Sequence, residues 1–225
     1  MAFRFLLVLV TFSIYAKAVL ADPSQIYPDT HRFEIYRDGD LVGEHITDFR
    51  QDASQLTVSS NMNLDIKFLG LTFYSFSYLS KEIWTNDELN SLEVYIDDDG
   101  DITNVTAQKT DNGLSITTDN ESYIHPTTLV TTNHWLASVI HSNAVLNTLT
   151  GNVNYVEILD GEWENIIIAD GKILAKRYDY TGDLKDTSVW YDKEGRWVKL
   201  SFKARDGSDI EYLCQTCPVT QNSNG

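Results

Sequence analysis

The sequence predicts an all-β fold: a large curved antiparallel meander, a half-barrel or barrel, carrying one short helix. Three observations predict it. Residues 56–68 alternate, with Leu56, Val58, Met62, Leu64, Ile66 and Phe68 on one parity, broken only by Ser60, and Thr57, Ser59, Asn61, Asn63, Asp65 and Lys67 on the other. Period-two alternation of that length is a strand with one wet face; a helix would scatter the same apolar residues around its circumference. Dipeptides such as Asp38-Gly39, Asp99-Gly100, Asn112-Gly113, Asp160-Gly161, Asp170-Gly171 and Asp206-Gly207 punctuate the chain, and Asn-Gly or Asp-Gly supplies the positive φ that tight hairpins need. Finally, 12 Tyr and 5 Trp suit a pleated, half-buried surface better than a helical bundle.

Taken in order, strands are expected near 31–37, 41–50, 54–68, 71–85, 90–97, 102–109 and 114–118, then 152–159, 163–169, 172–180, 186–192, 196–205 and 208–213. Turn signals recur at short intervals, so successive strands pair as neighbours; parallel pairing would need long crossovers for which there is no room. The longest interruption is 119–151. Within it Thr132 to His141 reads as a short helix, with Asn133 as N-cap and Trp135, Leu136, Val139 and Ile140 on one face. This irregular region is placed across one mouth of the curved sheet.

A sheet of this size must curl or close to avoid exposing edges and an apolar face. Segment 71–85 is apolar on both parities, with Tyr74, Phe76, Tyr78 and Trp84 on one face and Leu71, Phe73, Leu79 and Ile83 on the other. One face lines the interior and the other packs under the helix or loops. No unit repeats at a fixed period, which disfavours a propeller.

The N-terminus reads as a signal peptide over 1–21. Arg4 gives the basic start, Phe5 to Tyr15 an apolar run too short to span a bilayer, and Ala16-Lys17-Ala18 or Val19-Leu20-Ala21 the cut site. The expected organisation is that leader, a single β domain over 22–213, and a C-terminal tail over 214–225. No later apolar run approaches transmembrane length, so the mature chain is expected to be exported, periplasmic or secreted, without a membrane span. Loss of Arg4 and Lys17 leaves 15 basic against 33 acidic residues, a net −18. A field of that sign repels phosphate backbones and anionic headgroups, so nucleic acid is not an expected partner.

Cys214 and Cys217 are the only cysteines. In an exported chain such a pair is expected to oxidise to a small-loop disulfide; the helix N-terminus and βαβ context of a redox pair are missing. No metal or cofactor is expected. His31, His45, His125, His134 and His141 do not cluster at ligand spacing, and the phosphate loop, dinucleotide fingerprint and nucleophile elbow are absent. Asp97-Asp98-Asp99-Gly100-Asp101 fails the calcium-loop pattern, with Tyr95 and Thr106 at the first and last places, and reads as a solvated hairpin tip. Glu82 shares parity with the aromatic row and is the best candidate for a buried acid, either a polar anchor for a ligand or a strand-to-strand salt bridge with Arg177 or Lys199.

Three stretches resemble a family. Asp38 to His45, the run Met62 to Tyr78 ending in Glu82-Ile83-Trp84, and Trp190-Tyr191-Asp192 followed by Gly195-Arg196-Trp197 are similar to the bacterial domain-of-unknown-function family numbered 6134, over roughly 31–213. Glu88 and Leu89 stand where that pattern has a Cys before the Leu. The resemblance implies an exported Gram-negative protein with a curved antiparallel sheet, in the style of periplasmic lipid-handling half-barrels, and carries no catalytic residue.

The function expected is binding of an apolar small molecule such as a lipid or fatty-acyl chain, since an aromatic-lined concave sheet makes an apolar pocket. Phe68, Tyr74, Phe76, Tyr78, Glu82 and Trp84 are the expected lining, with Trp135 on a lid. The same residues as solid core are the alternative. A structural protein docking a partner through its sheet, or an enzyme using a buried carboxylate, are the other two classes.

Overall fold

The computed structural model describes residues 26–52 and 54–218; the expected leader lies outside the described residues. Eight strands follow one another as a meander: β1 (Thr30–Arg37), β2 (Asp40–Asp52), β3 (Gln55–Phe68), β4 (Leu71–Thr85), β5 (Glu88–Asp98), β6 (Asp101–Thr110), β7 (Gly113–Thr118) and β8 (Ser122–His125). A second meander comprises β12 (Ile158–Ile168), β13 (Gly171–Tyr180), β14 (Thr187–Tyr191), β15 (Trp197–Lys203) and β16 (Asp209–Cys214). Pairing of β16 with β1 joins them into one antiparallel sheet of 13 strands, ordered β12-β13-β14-β15-β16-β1-β2-β3-β4-β5-β6-β7-β8. The two edges, β8 and β12, therefore come from the middle of the sequence. The chain between them carries β9 (Val130–Thr131), β10 (Ala144–Leu146) and β11 (Val153–Tyr155), a separate three-stranded sheet.

Local chemistry explains the long strands. Asp38 and Gly39, like Asp99 and Gly100, all have positive φ, which is the two-residue hairpin whose twist matches its flanking strands. Curvature has its own source. Pairing slips by one residue at Ile35/Tyr36, Ile66/Lys67, Ile83/Trp84, Asp160/Trp163 and Trp190/Tyr191, and each bulge bends the strand and increases local twist. Gly43 serves a close approach, since a Cβ there would lie 2.1 Å from the Asn63 carbonyl oxygen on β3.

The concave side is the core. Phe33, Ile35, Leu89, Leu92, Val105, Leu114, Ile116 and Trp197 are wholly buried there. The parity expected for β4 holds, with Tyr78, Ser80, Glu82 and Trp84 buried and Tyr74 and Phe76 half-buried, but the other face does not pack under a helix or loops as expected: Leu71, Phe73 and Leu79 are exposed. Leu69, Leu71 and Phe73 form an apolar tip on the β3–β4 hairpin.

Three further expectations need correction. Residues 152–159 do not form one strand: Val153–Tyr155 pairs with β10, the large sheet resumes only at Ile158, and Asp160-Gly161 lies at a bulge inside β12 and not at a turn. Between them the Val156 amide donates to the Asn143 carbonyl as the chain changes sheets. The helix over 132–141 is a five-residue 3₁₀ turn, Ala137–His141, preceded by Leu136 and not capped by Asn133. Asn133 and Trp135 are instead drawn inward by hydrogen bonds from their side chains to Glu82, and the backbone turns at Thr132 and Asn133 and takes a positive φ at His134. The segment consequently runs through the concave interior, with Trp135 in the core and not on a lid.

Candidate functional site

Glu82 projects from β4 into the concave interior and is wholly shielded from solvent. Its Oε2 accepts the indole N–H groups of Trp84 at 2.8 Å and Trp135 at 2.7 Å. Its Oε1 accepts the Thr131 hydroxyl at 2.7 Å and the Asn133 amide at 2.6 Å. The expected salt bridge is therefore absent: Arg177 pairs with Asp179 and Lys199 with Glu211, and both cations cover the face of Trp190. Burial pushes the Glu82 pKa up while the four donors pull it down, leaving it above the usual carboxylate value. An indole N–H only donates, so both indoles fix Oε2 as an acceptor. Four donors from two strands and a loop converge on one carboxylate. It pins the inserted segment to the sheet.

Asn133 is the wall between this cluster and a cavity. Its Nδ2 donates to Glu82 and, at 3.3 Å, to Ser80, while its Oδ1 accepts the Tyr78 hydroxyl at 2.8 Å and the Thr148 hydroxyl at 3.4 Å. Beyond it lies a cavity of about 180 Å³ with an open mouth. His45, Met62 and Tyr78, paired side by side across β2, β3 and β4, form one wall. Trp197, Leu200, Phe202 and Tyr212 from β15 and β16 continue the lining, with Trp197 and Tyr212 in ring contact with His45. A bulge at Val198 in β15 seats Trp197 across from Tyr191. Thr132, His134, Asn147, Thr148, Leu149, Leu184 and Thr187 complete the lining.

The polar atoms here are poorly served compared with those around Glu82. His45 Nε2 lies 3.3 Å from the Thr47 hydroxyl, but its Nδ1 is buried and has no hydrogen-bond partner. Tyr212 donates its hydroxyl to the Met62 thioether, a weak acceptor. Both histidines are neutral, burial pulling the pKa of His45 down to about 3 and that of His134 to about 4. His134 adopts φ 60, a conformation that costs of order 1–3 kcal/mol in a non-glycine residue. Its carbonyl accepts the Tyr191 hydroxyl at 2.7 Å, and its ring sits against Tyr180 and Trp197.

The expected site residues are distributed unevenly. Tyr78 lines the cavity; Glu82, Trp84 and Trp135 form the cluster behind it, their two indoles edge-to-face at 5.3 Å. Phe76 lines a separate surface groove with Val42 and Leu64, and Tyr74 donates to Asp98 at 2.6 Å near the hairpin end. Phe68 lies in β3, its side chain outside the described residues. The acidic loop is a hairpin tip in which Asp97 accepts the Gly100 amide at 2.8 Å. Cys214 and Cys217 are bonded at 2.06 Å. With His31 they place three potential ligand atoms within 4.8 Å, but disulfide sulfurs lack the thiolate charge a metal needs.

Sequence reasoning passed over His45, Met62, His134, Trp197 and Tyr212 as a group. One signal was available: His45 shares inward parity with Thr47 and Phe49 on β2, all three buried.

Comparison with known proteins bears on the fold. Residues 33–215 match the family described as domain of unknown function (DUF6134). No curated protein matches. Among solved structures, a beta-barrel-like protein of domain of unknown function DUF1849 from Brucella abortus superposes with a TM-score of 0.59 at 8% identity, over 85% of this chain and 97% of that one. At that identity the likeness concerns the fold alone.

Proposed function

This chain belongs to the DUF6134 family, and we propose that it is an exported binding protein for an apolar small molecule, held in the cavity on the concave face. The observation that carries the reading is a cavity of about 180 Å³ whose lining includes Met62, Trp197, Leu200, Phe202 and Tyr212 of the large sheet. Binding sites of this kind are concave and largely apolar, with a few polar groups to orient the guest. The volume suits one ring, or the end of a longer lipid or acyl chain whose remainder leaves by the mouth; an engineered cavity of about 150 Å³ holds benzene. Export is supported by the leader-like N-terminus and by the Cys214–Cys217 bond, which persists in oxidising compartments. The four donors on Glu82 favour binding over acid catalysis, because every one of them is a protein group fixed in place.

The test is native mass spectrometry with solvent extraction of protein purified from the periplasm of its own host. A chain cut after Ala18 or Ala21 that carries an apolar adduct is expected. An uncut cytoplasmic chain refutes export, and a periplasmic chain with no adduct that also takes up no added apolar probe refutes binding. The exposed tip formed by Leu69, Leu71 and Phe73 favours a second reading, partner docking. Cross-linking in host cells that is lost in Phe73→Ser supports it.

A further inference from the structure

None of the 15 residues lining the cavity is Asp, Glu, Lys or Arg, although these types make up 22% of the chain. Nothing there compensates a charged guest. A carboxylate or phosphate group brought in would lose its hydration without a cation to meet it, which costs several kcal/mol. The guest's polar end is therefore uncharged, or outside.

Two atoms argue that it is inside. His45 is 5% exposed and its Nδ1 is unpartnered, and a buried polar atom of that kind normally has a protein or water partner. Tyr212, whose ring centroid lies 5.7 Å from that of His45, has its hydroxyl on a thioether. Both residues line the cavity. We propose that the cavity takes an uncharged, ring-sized molecule bearing a hydroxyl or carbonyl oxygen, and that this oxygen is held by His45 Nδ1 and the Tyr212 hydroxyl. The proposal rests on the binding reading above and names the class of guest.

Hydrogen bookkeeping closes for either group. A guest hydroxyl accepts from Tyr212, whose single O–H turns to it from the Met62 sulfur, and donates to Nδ1; His45 then carries its proton on Nε2 and donates to Thr47, whose hydroxyl lies 3.1 Å from that of Ser60. A guest carbonyl accepts from both Tyr212 and Nδ1–H, with Thr47 donating to Nε2. The Thr47–Ser60 pair, both buried, serves either tautomer.

Met62 is the only methionine apart from Met1 and it lines the cavity. Its methyl carbon, labelled with ¹³C, is thus a single reporter. Titrations with cyclohexanol, methylcyclohexane and cyclohexanecarboxylate near pH 7, where the last is ionised, separate the outcomes. Cyclohexanol is expected to bind about tenfold tighter than methylcyclohexane, with no saturable shift from the carboxylate. His45→Phe is expected to erase the advantage of the alcohol while keeping affinity for the hydrocarbon; should it not fold, Tyr212→Phe makes the same comparison. Equal affinity for alcohol and hydrocarbon, an alcohol advantage that survives the substitution, or the carboxylate binding best overturns the proposal and leaves the binding reading standing. No shift with any of the three overturns both.

Discussion

Glu82 and His45 lie on the same concave face, 0% and 5% exposed, and both are polar side chains surrounded by aromatic rings. Around Glu82 the chain has gathered two indoles, an amide and a hydroxyl. Around His45 it leaves one ring nitrogen unserved and sets beside it a tyrosine bonded to sulfur. Burial penalises both groups equally in kind, so the fold alone gives no reason to treat them differently. A residue that holds the structure together needs its partners within the chain. A residue that receives a guest needs a bond to spare.

The sharpest way to break this comparison is at Glu82. Glu82→Leu strands four donors, each costing roughly 1–3 kcal/mol when buried and unpaired, and is expected to lower the unfolding free energy by at least about 4 kcal/mol in a urea titration. Glu82→Gln keeps one acceptor oxygen and is expected to cost less. A loss below about 1 kcal/mol for the leucine variant would mean that the cluster does not secure the inserted segment.

Acid should probe the histidines next. His31 and His134, with pKa values pulled by burial to about 4, and His45 to about 3, stay neutral when folded and protonate near 6.5 when unfolded. The unfolded chain then binds more protons, so stability falls as pH drops from about 6.5 toward 4, by about 1.4 kcal/mol per unit for each histidine. Glu82 and Asp192, both raised mainly by burial, act in the opposite sense and blunt the loss. Thermal midpoints that stay level or rise between those values would contradict the neutral histidines.

Reducing the disulfide is a smaller perturbation. Cys214 and Cys217 are three residues apart, and closing so short a loop is worth about 2 kcal/mol; Cys214→Ala with Cys217→Ala should show that loss by denaturation. The smallest effect is expected where the comparison is most informative. His45→Phe removes a nitrogen that has no partner, so its stability change should stay within about 1 kcal/mol, against the large loss at Glu82.

What the sequence made legible follows from how local each signal is. Strand β3 was visible because alternation needs only its own residues, and the hairpins because Asp-Gly turns carry their φ requirement with them. The helix expected over 132–141 fails for the opposite reason: its apolar spacing is real, but Asn133 and Trp135 answer to Glu82, some fifty residues away in sequence. The carboxylate itself was found by parity, and its partners were not, because nothing in the spacing says that two indoles and an amide will converge. The cavity was least legible. His45 on β2 and Tyr212 on β16 come together only because β1 and β16 pair and close the two meanders into one sheet. A lone histidine at an inward position carries no mark of that.

The central claim is that a guest-sized apolar space is kept among β2–β4, β15–β16 and the inserted segment, and xenon tests it most directly, since it enters apolar cavities without needing a polar partner. A crystal pressurised with xenon should show an anomalous peak bounded by Met62, Trp197, Leu200 and Phe202. A well-diffracting pressurised crystal with no peak there, its walls collapsed onto one another, would contradict it.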